Sequence, residues 1–189
     1  AAELSRNEPF IDEHEIRKAI SMLKPSGEHF EVRIIGDRIK PISGYFTDVE
    51  TLIKAFDTVD LRNTNVYITL NRPAKSLYSR QQSDKLITSK QTTSDKEIES
   101  YEWLFIDLDP IRPAGISSTD QELQAAAELA QKVYVYLKGL GFEEPIKAFS
   151  GNGYHLLYAI DMDNSPETTQ LVKMCLESLS NMFSNDKVK

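Results

Sequence analysis

Two aspartates separated by one residue stand at the end of an apolar segment of the sequence. Residues 101–110 read YEWLFIDLDP, and the acids are Asp107 and Asp109. Side chains at positions i and i+2 of a strand point to the same face, so we expect both carboxylates to lie side by side. Such a pair is costly unless a cation lies between the two charges, and a divalent metal ion is the usual solution. The alternative is that both acids only end the strand before the turn at Pro110.

A second candidate site is residues 150–155, which read SGNGYH. Glycines let a phosphate approach backbone amides, and Ser and His side chains add donors to the same anion. The sequence therefore predicts a nucleotide-phosphate site made by Ser150, Gly151, Asn152, Gly153 and His155. Because an Asn-Gly pair between apolar segments is also the strongest short hairpin signal, a purely structural turn remains the alternative.

Basic residues are concentrated in residues 71–100, where hydrophobic periodicity is lost. A polar connection of about thirty residues is longer than usual, and such loops tend to be functional. We expect this segment, together with Arg112, to guide a nucleic-acid template or a triphosphate. The basic residues we assign to nucleic-acid binding are Arg72, Lys75, Arg80, Lys85 and Lys90. A solvated surface loop is the alternative, since charged loops are common.

The elements before this loop predict an αβ lobe over residues 1–100. Apolar spacing predicts a first helix over residues 12–23, and alternation predicts a hairpin with strands 29–35 and 38–42. Thr47 and Glu50 form a capping-box pattern that predicts a helix to about Thr58. Residues 65–70 have the β-branched and aromatic content of a strand.

Residues 101–189 follow the order strand, helix, strand, strand, helix. The first helix begins at a capping box at Thr119, the two following strands cover 146–149 and 154–160, and the last helix runs from Ser165 to about Phe183. This order is five of the six parts of a split βαβ, RRM-like layout, in which the strands at 101–109 and 154–160 are neighbours.

The closing strand of that layout should begin near Lys187. The predicted fold class is therefore α+β: an N-terminal αβ lobe, residues 1–100, with a long basic loop at 71–100, and an RRM-like catalytic lobe, residues 101–189. We expect the second lobe to lack its last strand. The two candidate sites then meet on adjacent strands.

Bulk composition limits the class of protein. The chain has 189 residues, 40% hydrophobic and 27% charged residues, and a net charge of −7, which is typical of a soluble globular protein without a general nucleic-acid coat. The single cysteine, Cys175, excludes an internal disulfide and a thiolate zinc cluster. Neither a membrane span nor a signal peptide is evident, so we expect an intracellular, cytoplasmic protein without a membrane partner.

Carboxylates beside a phosphate-binding turn point to phosphoryl or nucleotidyl transfer. In a two-metal mechanism the acids hold ions that bridge a nucleoside triphosphate and activate a 3′-hydroxyl. Residues 105–113, FIDLDPIRP, and 150–158, SGNGYHLLY, together resemble the archaeo-eukaryotic primase superfamily. They are most similar to the primase-polymerase domains of phages, plasmids and mobile elements. Residues 65–73 and 44–46 resemble the N-terminal lobe of such proteins.

This resemblance implies that Asp107 and Asp109 bind catalytic Mg²⁺ or Mn²⁺. It implies that the segment from Ser150 to His155 contacts the phosphates of the incoming nucleotide, which makes His155 the third catalytic residue. The implied activity is that of a DNA primase-polymerase. The implied partners are a DNA template or primer, nucleoside triphosphates, and a helicase domain or other replication proteins beyond residue 189, in bacterial, phage or plasmid replication.

The sequence departs from the family pattern in one respect. The third carboxylate of the family lies on the strand after the second helix, which would fall just past Lys189. Asp161 and Asp163 are poorly positioned substitutes, and we expect them to be surface turn acids. We therefore expect a chain truncated at its C-terminus that binds nucleotide and metal weakly, and we leave open whether it polymerises alone.

Two other functions remain open at this point. The first is a non-catalytic nucleic-acid-binding replication module that retains the primase fold. The second is a different Asp-x-Asp enzyme, either a sugar-nucleotide transferase or a phosphatase with an aspartyl nucleophile. The phosphatase requires a nucleophile early in a doubly wound fold, and Pro110 followed by a hairpin motif fits that poorly.

Overall fold

A computed structural model describes residues 11–189 except Ser26, Arg38, Gln81 and Ala114. This part of the chain contains four α-helices and two four-stranded sheets. The predicted α+β fold class is therefore confirmed. The chain divides into two compact units, of which the first ends at Ser100 and the second is Tyr101–Lys189.

The first unit contains two helices and the sheet order β3-β1-β2-β5. Both β2 and β3 pair with β1 in antiparallel register, and β5 pairs with β2 in the same way. The elements are α1 Glu13–Leu23, β1 Phe30–Gly36, β2 Ile42–Phe46, α2 Val49–Phe56, β3 Thr64–Ile68, β4 Arg72–Pro73 and β5 Ile87–Thr88.

Alternation along β1 builds the core of this unit. Phe30, Val32 and Ile34 are fully buried and pack in one cluster with Leu52 and Phe56 of α2. Burying each such side chain contributes about 1.5–3 kcal/mol to folding. The intervening residues of β1 therefore face the opposite side of the sheet.

Two local predictions in this unit are wrong. The sequence predicts the second strand of the hairpin at 38–42, but β2 is Ile42–Phe46. Pro41 has no backbone amide to donate, so regular strand pairing begins after it. Arg38 lies outside the described residues. The N-cap of α2 is Asp48 instead of Thr47, because the Asp48 carboxylate accepts the amide of Thr51 at 2.7 Å.

Residues 72–80 and 82–97 contact the sheet of the first unit at several points along their length. This segment, which we call the strap, contains β4, β5 and two short 3-10 helices, Lys75–Ser79 and Asp95–Glu97. The amide of Thr93 donates to the fully buried carboxylate of Glu31 at 3.0 Å. The side-chain oxygens of Tyr45 and Thr93 share a hydrogen bond of 2.8 Å. The strap is therefore fastened to the sheet at buried polar groups.

The second unit contains two helices and the strand order β6-β8-β7. The first three residues of β6 belong to the first unit, where this strand pairs with β4. The elements are β6 Ile98–Leu108, α3 Asp120–Gly139, β7 Ile146–Phe149, β8 Tyr154–Asp163 and α4 Pro166–Phe183. Within the described residues, no helix of either unit combines the length and apolarity needed to cross a membrane.

Both helices of this unit begin at residues that the sequence predicts. Thr119 and Glu122 form a reciprocal capping box at α3, with the amide of Thr119 donating to Glu122 at 2.7 Å. Ser165 caps α4 and Pro166 occupies its first turn. The single cysteine, Cys175, is half-buried on α4 beside the core, and burial raises the pKa of its thiol. That environment is typical of an unreactive structural thiol.

Residues near Lys187 lie beside β6, as the predicted closing strand would. Val188 forms an antiparallel bridge with Pro110. The backbones of Asp109 and Lys189 exchange two hydrogen bonds, of 3.1 and 3.0 Å. Val188 is also fully buried in the core of the unit. Pairing at this edge thus holds the backbone of the Asp-x-Asp segment.

Candidate functional site

The faces of β6 separate core residues from candidate site residues. Leu104, Ile106 and Leu108 are buried in the cluster formed with α3 and α4. Because side chains alternate along a strand, Phe105 and Asp107 face the opposite side of the sheet. Apolar packing of every second residue therefore fixes the direction in which the acids point.

Asp107 and Asp109 lie on that opposite face, as the sequence predicts. The Asp107 side chain is half exposed. Partial burial raises the pKa of the Asp107 carboxyl, and the neighbouring charge of Asp109 raises that pKa further. His155, the amide of Leu108 and Lys189 act in the opposite direction. A negative charge on Asp107 is therefore disfavoured first by partial burial and second by Asp109.

His155 joins the acids from the adjacent strand. Its Nε2 atom lies 3.2 Å from Oδ1 of Asp107. The imidazole ring also meets the ring of Phe105 edge-on, with 4.9 Å between centroids. In the antiparallel pairing of β7 and β8, His155 lies opposite Ala148. The sheet order β6-β8-β7 therefore brings together three residues, Asp107, Asp109 and His155, that the sequence places in two separate motifs.

The Ser150–Gly153 turn is closed by its own hydrogen bonds. The Ser150 hydroxyl accepts the amide of Gly153 at 2.9 Å and that of Asn152 at 3.3 Å. The amide of Ser150 donates to the carbonyl of Gly153 at 3.1 Å. Gly151 has φ +88°, which favours glycine. In this conformation, the Ser150 hydroxyl and the amides of Ser150, Asn152 and Gly153 are all engaged within the turn.

Gly153 lies directly against Asp109. A Cβ atom added at Gly153 would be 2.6 Å from the carbonyl oxygen of Leu108 and still closer to Oδ1 of Asp109. No side chain larger than hydrogen fits there without movement of the turn or of β6. This close approach is what joins the turn to the Asp-x-Asp segment.

Asn152 is bonded to the linker that precedes α3. Its side-chain oxygen accepts the amide of Ser118 at 3.0 Å, and its carbonyl accepts the Ser118 hydroxyl at 2.7 Å. The sequence assigns Asn152 to phosphate binding, but in this structure both oxygens of the residue bind Ser118. Ser118 carries no motif signal, and only the fold reveals its contact.

Arg112 lies on the same linker. One guanidinium nitrogen donates to the carbonyl of Ile116 at 2.7 Å, which folds the linker back on itself. The charge of Arg112 also contributes to lowering the pKa of Glu122, although hydrogen bonds from Thr119 are the larger cause. Its role in this conformation is to shape the linker, and the structure describes no contact of Arg112 with the acids.

Lys189 is a further residue that sequence reasoning missed. Because it pairs with Asp109 in antiparallel register, its side chain is expected on the same face as that acid. Its charge lowers the pKa of Asp107. The signal in the sequence is only that Lys189 lies in the predicted closing strand, and register could not be read from it.

The basic residues of the strap differ in their contacts. Arg72 is paired with Glu28, and Arg80 is paired with Glu97. Lys85 donates to the side chain of Gln82 at 2.8 Å. Lys75 and Lys90 are exposed. Two of the five residues assigned to nucleic acid are thus neutralised locally by carboxylates.

The acids at the other end of β8 are separate from this site. Asp161 and Asp163 are exposed and belong to the last residues of that strand. They were expected in a turn, whereas the strand continues through Asp163. They reproduce the Asp-x-Asp spacing without the neighbouring histidine and glycine.

The donor set at Asp107 and Asp109 suits a hard divalent cation. Within the described residues, no group of three or more His, Cys, Asp or Glu side chains is arranged to hold a metal ion. Mg²⁺ is commonly bound by one or two carboxylates, with water and substrate phosphates completing its coordination. Partial burial and, to a lesser extent, the charge of Asp109 raise the pKa of Asp107, and such an ion would offset both effects. Two carboxylates therefore fit Mg²⁺ or Mn²⁺ as a partial set of ligands.

Comparison of the chain with protein-family models, with curated proteins and with solved structures finds no match. Asp107, Asp109 and His155, with the turn packed against them, are the features of the chain that bear on its function.

Proposed function

We propose that this chain is the catalytic domain of a DNA primase-polymerase, which transfers nucleotides from deoxynucleoside or nucleoside triphosphates under direction of a template. The observation that carries the proposal is the meeting of two motifs at one place. Asp107 lies 3.2 Å from His155 of the neighbouring strand, and Gly153 abuts Asp109. Paired acids beside a glycine-containing turn and a histidine suit a cation-bound triphosphate.

The residues have distinct roles in this proposal. Asp107 and Asp109 would hold Mg²⁺ or Mn²⁺, and the ion would supply neutralisation of phosphate charge and activation of the attacking hydroxyl. His155 donates a hydrogen bond to a phosphate oxygen when substrate is present. The backbone of the turn, beginning at Ser150, forms the wall against which the triphosphate lies. Positioning and charge neutralisation, rather than covalent chemistry, are what the protein supplies.

The proposed partners follow from the same chemistry. Template or primer DNA contacts the strap through its exposed lysines, Lys75 and Lys90. Arg112 contacts the triphosphate only after leaving the carbonyl of Ile116. The resemblance of residues 105–113 and 150–158 to primase-polymerases implies one further partner, a helicase domain or other replication protein that supplies the opened template inside a bacterial cell, in phage or plasmid replication.

Manganese binding and primer extension test the proposal. The double substitution Asp107→Asn with Asp109→Asn removes both charges while preserving size. Its matched control is Asp161→Asn with Asp163→Asn, which makes the same change at exposed acids on β8. We expect the first variant to lose Mn²⁺ binding, measured by calorimetry or electron paramagnetic resonance, and to lose extension of a labelled primer. The control should retain both.

Equal Mn²⁺ affinity and equal primer extension in the two double variants would refute the proposal. Salt-dependent DNA binding that persists without any binding of triphosphate or Mn²⁺ would instead identify a non-catalytic nucleic-acid-binding module. A thermal-shift titration with triphosphate distinguishes these outcomes, because a ligand that binds the folded state raises the melting temperature.

A further inference from the structure

The linker before α3 and the turn before β8 are joined by a two-bond contact. Ser118 donates its amide to the side-chain oxygen of Asn152 and its hydroxyl to the carbonyl of Asn152, at 3.0 and 2.7 Å. The two residues are far apart in sequence, and both bonds are partly buried. We call this contact the Ser118–Asn152 clamp.

The linker end of the clamp is rigidly supported. Ser118 immediately precedes Thr119, the N-cap of α3, whose capping box with Glu122 is complete. The helix continues for twenty residues, and its buried face packs in the core of the unit. The clamp therefore fixes Asn152 to an element that cannot easily move.

The turn end of the clamp lies next to the acids. Asn152 is followed by Gly153, whose backbone abuts Asp109 and the carbonyl of Leu108. Two residues further along, His155 approaches Asp107. A displacement of Asn152 is thus transmitted through one peptide unit to the wall of the site. Neither residue of the clamp needs to touch a ligand to influence the site.

We propose that Ser118 and Asn152 are positioning residues, which set the distance between the turn and the two carboxylates. This inference rests on the proposed function, since the site that they position is the proposed cation and triphosphate site. It changes the role of Asn152, because its oxygens are engaged by Ser118 and its contribution to substrate binding is indirect. Ser118, which belongs to neither motif, becomes part of the site.

The test compares two serine substitutions. Ser118→Ala removes the hydroxyl bond of the clamp, and Ser118→Thr restores a hydroxyl. Ser165→Ala is the matched control, because Ser165 also uses its hydroxyl for a local bond, at the N-cap of α4 and next to the end of β8 remote from His155. Three properties are measured for each variant: melting temperature, amide exchange at Gly153 with the side-chain NMR resonances of His155, and Mn²⁺ affinity.

We expect Ser118→Ala to accelerate exchange at Gly153 about fivefold and to shift the His155 ring resonances. Mn²⁺ affinity should fall roughly fivefold to tenfold, and Ser118→Thr should recover most of the loss. Ser165→Ala should lower the melting temperature without moving the exchange rate at Gly153, the His155 resonances or the Mn²⁺ affinity.

The inference is overturned if Ser118→Ala lowers the melting temperature as Ser165→Ala does while Gly153 exchange and the His155 resonances stay as in the parent chain. That failure is distinguishable from failure of the proposed function. Loss of the proposed function appears as unchanged Mn²⁺ binding after substitution of Asp107 and Asp109, whereas exchange and NMR resonances report the clamp whether or not metal binds.

Discussion

Two glycines two residues apart serve different purposes in the candidate site. Gly151 adopts φ +88° and has open space around it, so its backbone conformation requires glycine. Gly153 does not have a positive φ, and it is required because Asp109 and Leu108 leave no room for a side chain. From sequence, both look like turn glycines. Only the position of the neighbouring strand separates the two roles.

Gly153→Ala is therefore expected to disturb the site more than its small size suggests. Relief of the clash requires movement of the turn away from Asp109, at a cost of roughly 1–3 kcal/mol in the free energy of unfolding. Urea unfolding followed by circular dichroism measures this. Gly139→Ala is the control, because Gly139 is a helical residue with nothing within 4 Å of the added Cβ. Equal stability of the two variants would contradict the packing argument.

Tyr45 gives the first unit a pH-dependent contribution to stability. Burial raises the pKa of its hydroxyl above the usual value, and the hydrogen bond with Thr93 only partly offsets that effect. A raised folded-state pKa means that the stabilising contribution is complete below pH 10 and is lost as pH rises through the folded pKa. The folded state thus disfavours tyrosinate at this position.

Tyr45→Phe should lower the free energy of unfolding by about 1 kcal/mol at pH 8, where it removes only the bond to Thr93. Above pH 10 the difference in the free energy of unfolding between the parent chain and this variant should shrink. The reason is that ionisation of Tyr45 stabilises the unfolded state of the parent chain, whereas the phenylalanine of the variant cannot ionise. Urea unfolding at pH 8 and at two values above 10 measures the difference. Tyr67→Phe, at a half-exposed tyrosine, is the control; an identical pH dependence in both variants would refute the prediction.

At the scale of elements, the strap is the part that the sequence predicted least well. Its short strands and 3-10 helices lack hydrophobic periodicity. They are ordered instead by polar contacts with residues distant in sequence. Arg33 forms a 2.7 Å ion pair with the fully buried Glu31, and the amide of Thr93 completes the contact. A short stretch of sequence reveals neither that Thr93 lies close to Glu31 nor that Glu31 is buried.

Glu31→Gln should release the strap. Removal of one partner from a buried ion pair leaves Arg33 without its counter-charge, which costs at least about 2 kcal/mol. Trypsin cleavage after Lys85 and Lys90 should become faster under native conditions. Glu50→Gln, which breaks an exposed ion pair with Arg17, should change neither stability nor cleavage appreciably. Unchanged cleavage in the Glu31 variant would show that the strap is held by other contacts.

The elements of the second unit were predicted more closely than the strap. The capping residues Thr119 and Ser165 mark the starts of its helices, and the predicted strand at residues 146–149 coincides with β7. Local signals of this kind need no tertiary information. The sequence predicts that the strands at 101–109 and 154–160 are neighbours, and the approach of His155 to Asp107 follows from that neighbourhood. The Ser118–Asn152 clamp and the register of Lys189 depend on side-chain geometry and could not be predicted.

At the scale of the whole molecule, charge is distributed unevenly. Tyr101–Lys189 contains 13 acidic and 7 basic residues, while residues 1–100 contain 16 acidic and 15 basic residues. Nucleic acid should therefore be repelled by the second unit except where cations bind. Contact with the phosphate backbone is expected in the strap, at lysines that are exposed instead of paired.

Lys75→Gln with Lys90→Gln should weaken single-stranded DNA binding and reduce its salt dependence. Each lost phosphate contact lowers the slope of log affinity against log salt by about 0.7, so the double variant should lose roughly 1.4. Fluorescence anisotropy at several salt concentrations measures the slope. Lys132→Gln with Lys173→Gln makes the same charge change on exposed helical positions of the second unit. Equal slopes for the two double variants would locate DNA binding elsewhere.

The pairing of residues 187–189 with residues 109–111 has a consequence for synthesis of the protein. The Asp-x-Asp strand is the first element of its unit to leave the ribosome, yet its partners at this edge emerge only after α3, β7, β8 and α4. Contacts between segments so distant in sequence form late and slowly. Residues 109–111 therefore stay without these partners until α4 and the residues after it have been synthesised.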